Sequence, residues 1–148
     1  MRYVRIPKSR IKEWLNALEA TKEFAEKLHE ALGPVTVLLH GSFARGDFNL
    51  WSDIDLIVLS ERFESIRPLD RFNLLPEMPP RVEPILLTRE EFLKLVEKPT
   101  WRQALARGVV VVIDDYNITR VLNDLEVKVL SLKELYEEIK GLDLYIKE

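Results

Sequence analysis

The chain has 148 residues, 22 Lys plus Arg against 25 Asp plus Glu, a formal net charge of −3, 47 % hydrophobic residues and no cysteine. That length suits a single domain burying about 70 % of the surface its unfolded form exposes, with no need of disulfides or structural zinc. The missing cysteine excludes disulfides, thiolate catalysis and cysteine-bound metals, and the mild acidity makes a long nucleic acid an unlikely partner.

The longest apolar runs, 35–39, 56–59 and 109–113, fall far short of the ~20 residues of a spanning helix. The basic start of the chain is not followed by a signal-type apolar core, so a cytoplasmic protein is expected.

In chain order, Ile11, Trp14, Leu15, Leu18, Ala25, Leu28 and Leu32 recur at three- and four-residue steps and predict a leading helix over 9–32. Ser9 is expected to cap it and Gly33-Pro34 to stop it. His29 reads as a solvated or half-buried helix residue. Residues 35–40 form a branched apolar run that predicts a buried strand. Residues 41–46 break that pattern, and 53–59 predict a second strand. A short helix is expected around 65–72, followed by a loop enforced by Pro76, Pro79 and Pro80. Residues 82–87 predict a third strand, which Pro84 pushes towards an edge or a bulge.

Thr88-x-x-Glu91 is a capping-box pattern opening a helix over 89–96. A further short helix covers 100–106, and Gly108 ends it. Residues 109–113 predict the last strand. Beyond 118, Leu122, Leu125, Val129, Leu132, Tyr136, Ile139 and Leu142 predict a trailing helix over 118–147. The order of elements argues for an α/β (α+β) fold, a mixed β-sheet flanked by helices in one domain, 1–148, with its core over 35–113.

The chemistry concentrates in residues 41–56, GSFARGDFNLWSDIDL. On a strand, Asp53 and Asp55 share a face about 6.5–7 Å apart. Two such carboxylates beside a core strand are costly unless neutralised, and a hard divalent cation such as Mg²⁺ does so. Gly41 permits close approach of a ligand, the Ser42 hydroxyl is a donor, and Arg45 reaches a phosphate with its fork of donors. Separately, these are a turn glycine, a cap and a surface ion-pair former. Together they supply phosphate donors and metal-binding acids, the requirements of nucleotidyl transfer.

Gly41-Ser42, ten residues and then Asp53-x-Asp55, with Arg45-Gly46 and Ser52-Asp53-Ile54-Asp55-Leu56, resembles the signature of the DNA polymerase β-type nucleotidyltransferase superfamily. The chain looks most like its minimal nucleotidyltransferases. That resemblance implies two Mg²⁺ ions on the strand acids, ATP or another NTP as substrate, and a triphosphate held at Gly41 and Ser42. It implies a third acid on a neighbouring strand, here Glu83, although Glu replaces the commoner Asp and Pro84 departs from the pattern. Asp114 and Asp115 are rivals whose plainer reading is a turn or helix cap. Minimal relatives often act with a HEPN-type helical protein, some as antitoxins that attach AMP to it. The trailing helix, with its near-heptad seam, is a candidate surface for such a partner or for a homo-oligomer, or else a cover for its own sheet. A catalytically silent nucleotide- or partner-binding module is the alternative.

His40 reads as a half-buried strand end, and Phe43 and Trp51 as residues packing the turn against the core. Arg62, Arg67, Arg71 and Arg81 alternate with acids and read as a solvated mixed-charge surface.

Overall fold

The structure, a computed structural model, describes residues 7–146. Helix α1 runs Lys8–Leu32 and buries the predicted face, including Ile11, Trp14, Leu18, Ala25, Leu28 and Leu32. Pro7, not Ser9, occupies the N-cap, and Ser9 lies inside the first turn. Gly33 closes the helix at φ +77°, its N–H donating to the His29 carbonyl.

Strand β1 (Thr36–His40) leads through Gly41 into α2 (Ser42–Arg45), a single turn, and then into β2 (Ile54–Leu59). The helix expected around 65–72 is replaced by two 3-10 segments, Glu61–Phe63 and Pro68–Leu74, separated by Ser65 at φ +64°. Strand β3 (Val82–Leu87), helix α3 (Arg89–Leu95) and helix α4 (Pro99–Ala106) follow, and then β4 (Val109–Asp114). The Thr88–Glu91 capping box forms as expected.

The C-terminal third differs from the expected single helix. Helix α5 (Ile118–Asp124) ends where Glu126 takes φ +61°, a fifth strand β5 (Val129–Ser131) pairs with β4, and α6 (Leu132–Ile146) follows. The break is built by a second capping box: the Ser131 N–H donates to Glu134 and the Glu134 N–H to the Ser131 hydroxyl. Residue 147 lies outside the described residues. Leu132, Leu135, Ile139 and Leu142 of α6 are buried in the same core as α1, so these residues of the seam cover the chain's own sheet.

The sheet order is β3-β2-β1-β4-β5. Strand β1 is antiparallel to β2 and β4, whereas β2–β3 and β4–β5 are parallel. One face carries Val37, Leu39, Ile54, Leu56 and Val58 into the core with α1 and α6. The other carries Leu38, Ile57 and Leu59 under Phe92 of α3, Leu105 of α4, and Ile118 and Leu122 of α5. No helix among the described residues is long and apolar enough to cross a membrane.

Strand β3 is an edge, as Pro84 predicted. The Ile54 N–H donates to the Arg81 carbonyl and the Ser60 N–H to the Leu87 carbonyl. By alternation, residues 82, 84 and 86 turn their backbone groups outward. Pro84 therefore forfeits no ladder bond. The outward Val82 N–H is taken by the Pro79 carbonyl, and the outward Leu86 carbonyl by Arg71.

Candidate active site

The register brings the predicted acids together. His40 pairs with Asp55 across β1–β2, and Asp55 pairs with Glu83 across β2–β3, so the three stand in a row across one face. Asp53, two residues before Asp55, belongs to that face. This is the face whose far end is covered by α3, α4 and α5. At the Asp55 end no helix among the described residues covers it: Asp53 and Glu83 are exposed and Asp55 and His40 half-buried.

The acids strain against one another. Glu83 hydrogen-bonds Asp53, and that bond together with the Asp53 charge raises its pKa. Burial chiefly raises the pKa of Asp55, with Asp53 adding to the rise and His40 and Arg45 opposing it. Burial lowers the pKa of His40 against the pull of Asp55. Its buried Nε2 has no hydrogen-bond partner among the described residues.

Gly41 closes the site on the β1 side. Its backbone sits at φ +75°, ψ −157°, and a Cβ there would collide with Oδ2 of Asp55. Only glycine therefore lets β1 end against the carboxylate. The Ser42 hydroxyl stands at the start of α2. Gly46 ends that turn in the left-handed region, where a Cβ would lie 2.6 Å from Cη2 of Trp14. The Arg45 Nε donates to Asp47 at 3.2 Å. Arg45 also lines a small hollow with Arg107 and Lys128, two cations that sequence spacing did not single out.

The loop from α2 into β2 is clamped by Arg81, at φ +72°. Its guanidinium donates to the Ser52 and Asn49 carbonyls and to Glu13, and lies 5.0 Å over the Phe43 ring. Arg81 is thus a structural tie and not solvated surface. Arg71 is likewise buried, bonded to the Ile66 and Leu86 carbonyls and in two bonds to Glu91. Phe43 packs in the core, stacked on Phe48, but Trp51 is 88 % exposed at the loop tip, contrary to the packing expected of it.

The rival acids have structural duties. Asp114 accepts from the backbone of Ile118 and Thr119 and from the hydroxyls of Thr119 and Thr36. Burial alone would raise its pKa, and these bonds pull it below the usual value. Asp115 accepts from the Val35 N–H and faces His29 at 3.7 Å.

Beside the acids runs an open cleft of about 490 Å³, bounded by His40, Asp55 and Glu83 and walled by Phe72, Met78, Pro84 and Ile85. Phe72, Met78 and Ile85 are each about 40 % exposed.

Among the described residues no group of three or more His, Asp and Glu is arranged to cage a metal ion. Glu83 instead spends its carboxyl on Asp53. The donors nonetheless fit a hard divalent cation: all are carboxylate oxygens, and its charge would offset the Asp53 repulsion that raises Glu83 and the burial that chiefly raises Asp55.

A mixed sheet carrying clustered carboxylates beside a Gly-Ser turn is the arrangement of a nucleotidyltransferase. Residues 21–144 match the nucleotidyltransferase domain family, and the chain belongs to it. No curated protein matches the chain. Among solved structures it is similar to one described as "a putative nucleotidyltransferase from Sulfolobus solfataricus", determined at 1.40 Å. The two share 26 % identity over 61 % of this chain and 83 % of that one, with a TM-score of 0.54.

Proposed function

We propose that the chain transfers a nucleoside monophosphate, AMP from ATP, to an acceptor hydroxyl with release of pyrophosphate. The observation that carries this reading is the row His40–Asp55–Glu83, with Asp53 on the same face and Gly41 packed on Asp55. Asp53, Asp55 and Glu83 are the ligands we assign to two Mg²⁺ ions, whose chemistry is charge stabilisation at the α-phosphate and activation of the attacking hydroxyl.

The other roles belong to the chain itself. The absent side chain of Gly41 lets the Asp55 carboxyl pack against the end of β1. The Ser42 hydroxyl donates to phosphate oxygens, and Arg45 supplies a cation that already acts on Asp55 and His40. The clamp of Arg81 on the 47–53 loop holds Asp53 in place before β2 begins.

The resemblance to minimal nucleotidyltransferases supports the finer reading that the acceptor hydroxyl lies on a HEPN-type partner and that the chain acts as an antitoxin. With Leu132, Leu135, Ile139 and Leu142 buried, the open end of the sheet is the surface we assign to such a partner. The test is transfer of α-labelled ATP, with Mg²⁺, to the product of the neighbouring gene by wild type, Asp53→Asn and Asp55→Asn. Transfer lost in both variants supports the assignment. Transfer unchanged in both refutes it. Tight Mg-nucleotide binding without transfer by the wild type favours the silent module.

A further inference from the structure

The sheet end that carries the acids also carries, further along, a cluster of cations. The register sets Leu39 of β1 opposite Val110 of β4, and Val109 opposite Val129 of β5, so Arg107 and Lys128 lie at the same end of the sheet as Gly41. Across that end, Glu83 and Asp55 stand on β3 and β2, the Gly41-Ser42 turn follows β1, and Arg107 and Lys128 come last, just ahead of β4 and β5. Arg45 joins the two halves: its charge acts on Asp55 and His40, and it lines the hollow shared with Arg107 and Lys128. Arg107 and Lys128 are exposed and form no ion pair among the described residues. Arg45 spends its Nε on Asp47, and its terminal nitrogens have no partner among those residues. Three cations held round one hollow repel one another unless an anion sits between them.

The hollow measures about 40 Å³ over an apolar floor that includes Ala44, Val110 and Leu130. At about 10–15 Å³ per water it has room for roughly three, which suits one phosphate group and not a base or a sugar. An apolar floor under convergent cations focuses their field, and arginine offers phosphate oxygens a planar fork of donors. Strand β4 lies about 10 Å from β2, two strand spacings away. A nucleotide whose α-phosphate sits at the acids therefore runs its outer phosphates over the Gly41-Ser42 turn towards the hollow; this step rests on the nucleotidyl-transfer reading. We infer that Arg107 and Lys128, with Arg45, form a subsite for the terminal phosphate, by which the chain selects nucleoside triphosphates over diphosphates. A diphosphate anchored at the acids ends over the turn and leaves the hollow unfilled. Arg107 is also the C-cap of α4, where a cation suits the helix dipole, so binding and not stability is the telling measurement.

Isothermal titration of the full chain in Mg²⁺ compares ATP and ADP analogues with a methylene bridge between the α- and β-phosphorus, which cannot be transferred. The wild type should bind the triphosphate at least about tenfold more tightly than the diphosphate. Arg107→Ala and Lys128→Ala, both checked for folding by circular dichroism, should each weaken the triphosphate about five- to tenfold and leave the diphosphate within about twofold. Lys94→Ala removes a cation of α3 outside the hollow and should leave both affinities within about twofold. The same loss in Lys94→Ala, or equal weakening of both analogues by the hollow variants, would reveal a general field in place of a terminal-phosphate subsite. Those results overturn the inference and leave the transfer reading intact, as do unchanged triphosphate binding in the hollow variants and equal binding of the two analogues by the wild type. A wild type that binds neither analogue defeats the transfer reading, and the inference with it.

Discussion

Gly41→Ala tests the packing that defines the site. At φ +75°, ψ −157° the backbone lies in a region used almost only by glycine, and holding alanine there costs about 1–3 kcal/mol. A second cost comes from the new Cβ meeting the Asp55 carboxyl, whose Cγ would lie at 3.2 Å and Oδ2 closer still. The two costs separate in an Asp55→Ala background. There Oδ2 and Cγ are gone, and the remaining Cβ of residue 55 stands at 3.4 Å, an ordinary contact. The cost of Gly41→Ala should therefore be smaller by about 1 kcal/mol or more in that background. In the wild type a total of about 2–4 kcal/mol lowers the melting temperature by roughly 5–15 °C. Urea unfolding followed by circular dichroism, with a check that the m-value is unchanged, measures the cycle. Equal costs in both backgrounds would show that the carboxylate is not what excludes a side chain at 41. A cost below about 0.5 kcal/mol in the wild type would refute the backbone geometry itself.

Three further changes probe the surroundings. Arg71→Met leaves two carbonyls and Glu91 without their donor and should cost about 2 kcal/mol by chemical unfolding. The same variant should flatten the acid limb of stability. Arg71 is the first of the groups that hold the Glu91 pKa at about 2 instead of 4.5, so its stabilisation is complete above 4.5 and is lost as pH falls towards 2. Because the Glu91 side chain is 41 % exposed, that loss is about 1 kcal/mol, and an acid limb as steep in the variant would rule out the pair as its source. Asp114→Ala removes three hydrogen bonds at the start of α5 and one from Thr36 of β1 and should cost about 2 kcal/mol in thermal unfolding, whereas a neutral result would make the cap dispensable. Trp51→Ala should change stability by less than about 0.5 kcal/mol while removing the most acrylamide-quenchable of the three tryptophans, since Trp14 is fully buried and Trp101 half-buried.

The leading helix, the first four strands and the Thr88 capping box were legible because each has a strong local signal: a 3.6 period, a branched apolar run or a cap pair at the right spacing. The carboxylates were legible in kind, since Asp53-x-Asp55 places two acids on one strand face. That Glu83 faces Asp55 depends on the β2–β3 register, which local pattern does not contain. The trailing segment misled because apolar steps of three and four continue across a turn, a strand and a new helix. Ser131-x-x-Glu134 marks that break with the same chemistry as Thr88-x-x-Glu91, and it is the signal that finds β5. Arg71 and Arg81 read as surface charge, because nothing local shows that an arginine will reach carbonyls 15 or 29 residues away. Trp51 is the converse, an aromatic residue that the rigid loop turns away from the core.

The sealed rim of β3 bears on how a polypeptide would be recognised here. Strand addition needs a ribbon of free donors and acceptors, but this one lacks a donor at Pro84 and has lost a donor at Val82 and an acceptor at Leu86. A polypeptide arriving at this border finds an interrupted backbone template. Recognition of a polypeptide along this border would rest on its side chains more than on a run of main-chain pairing.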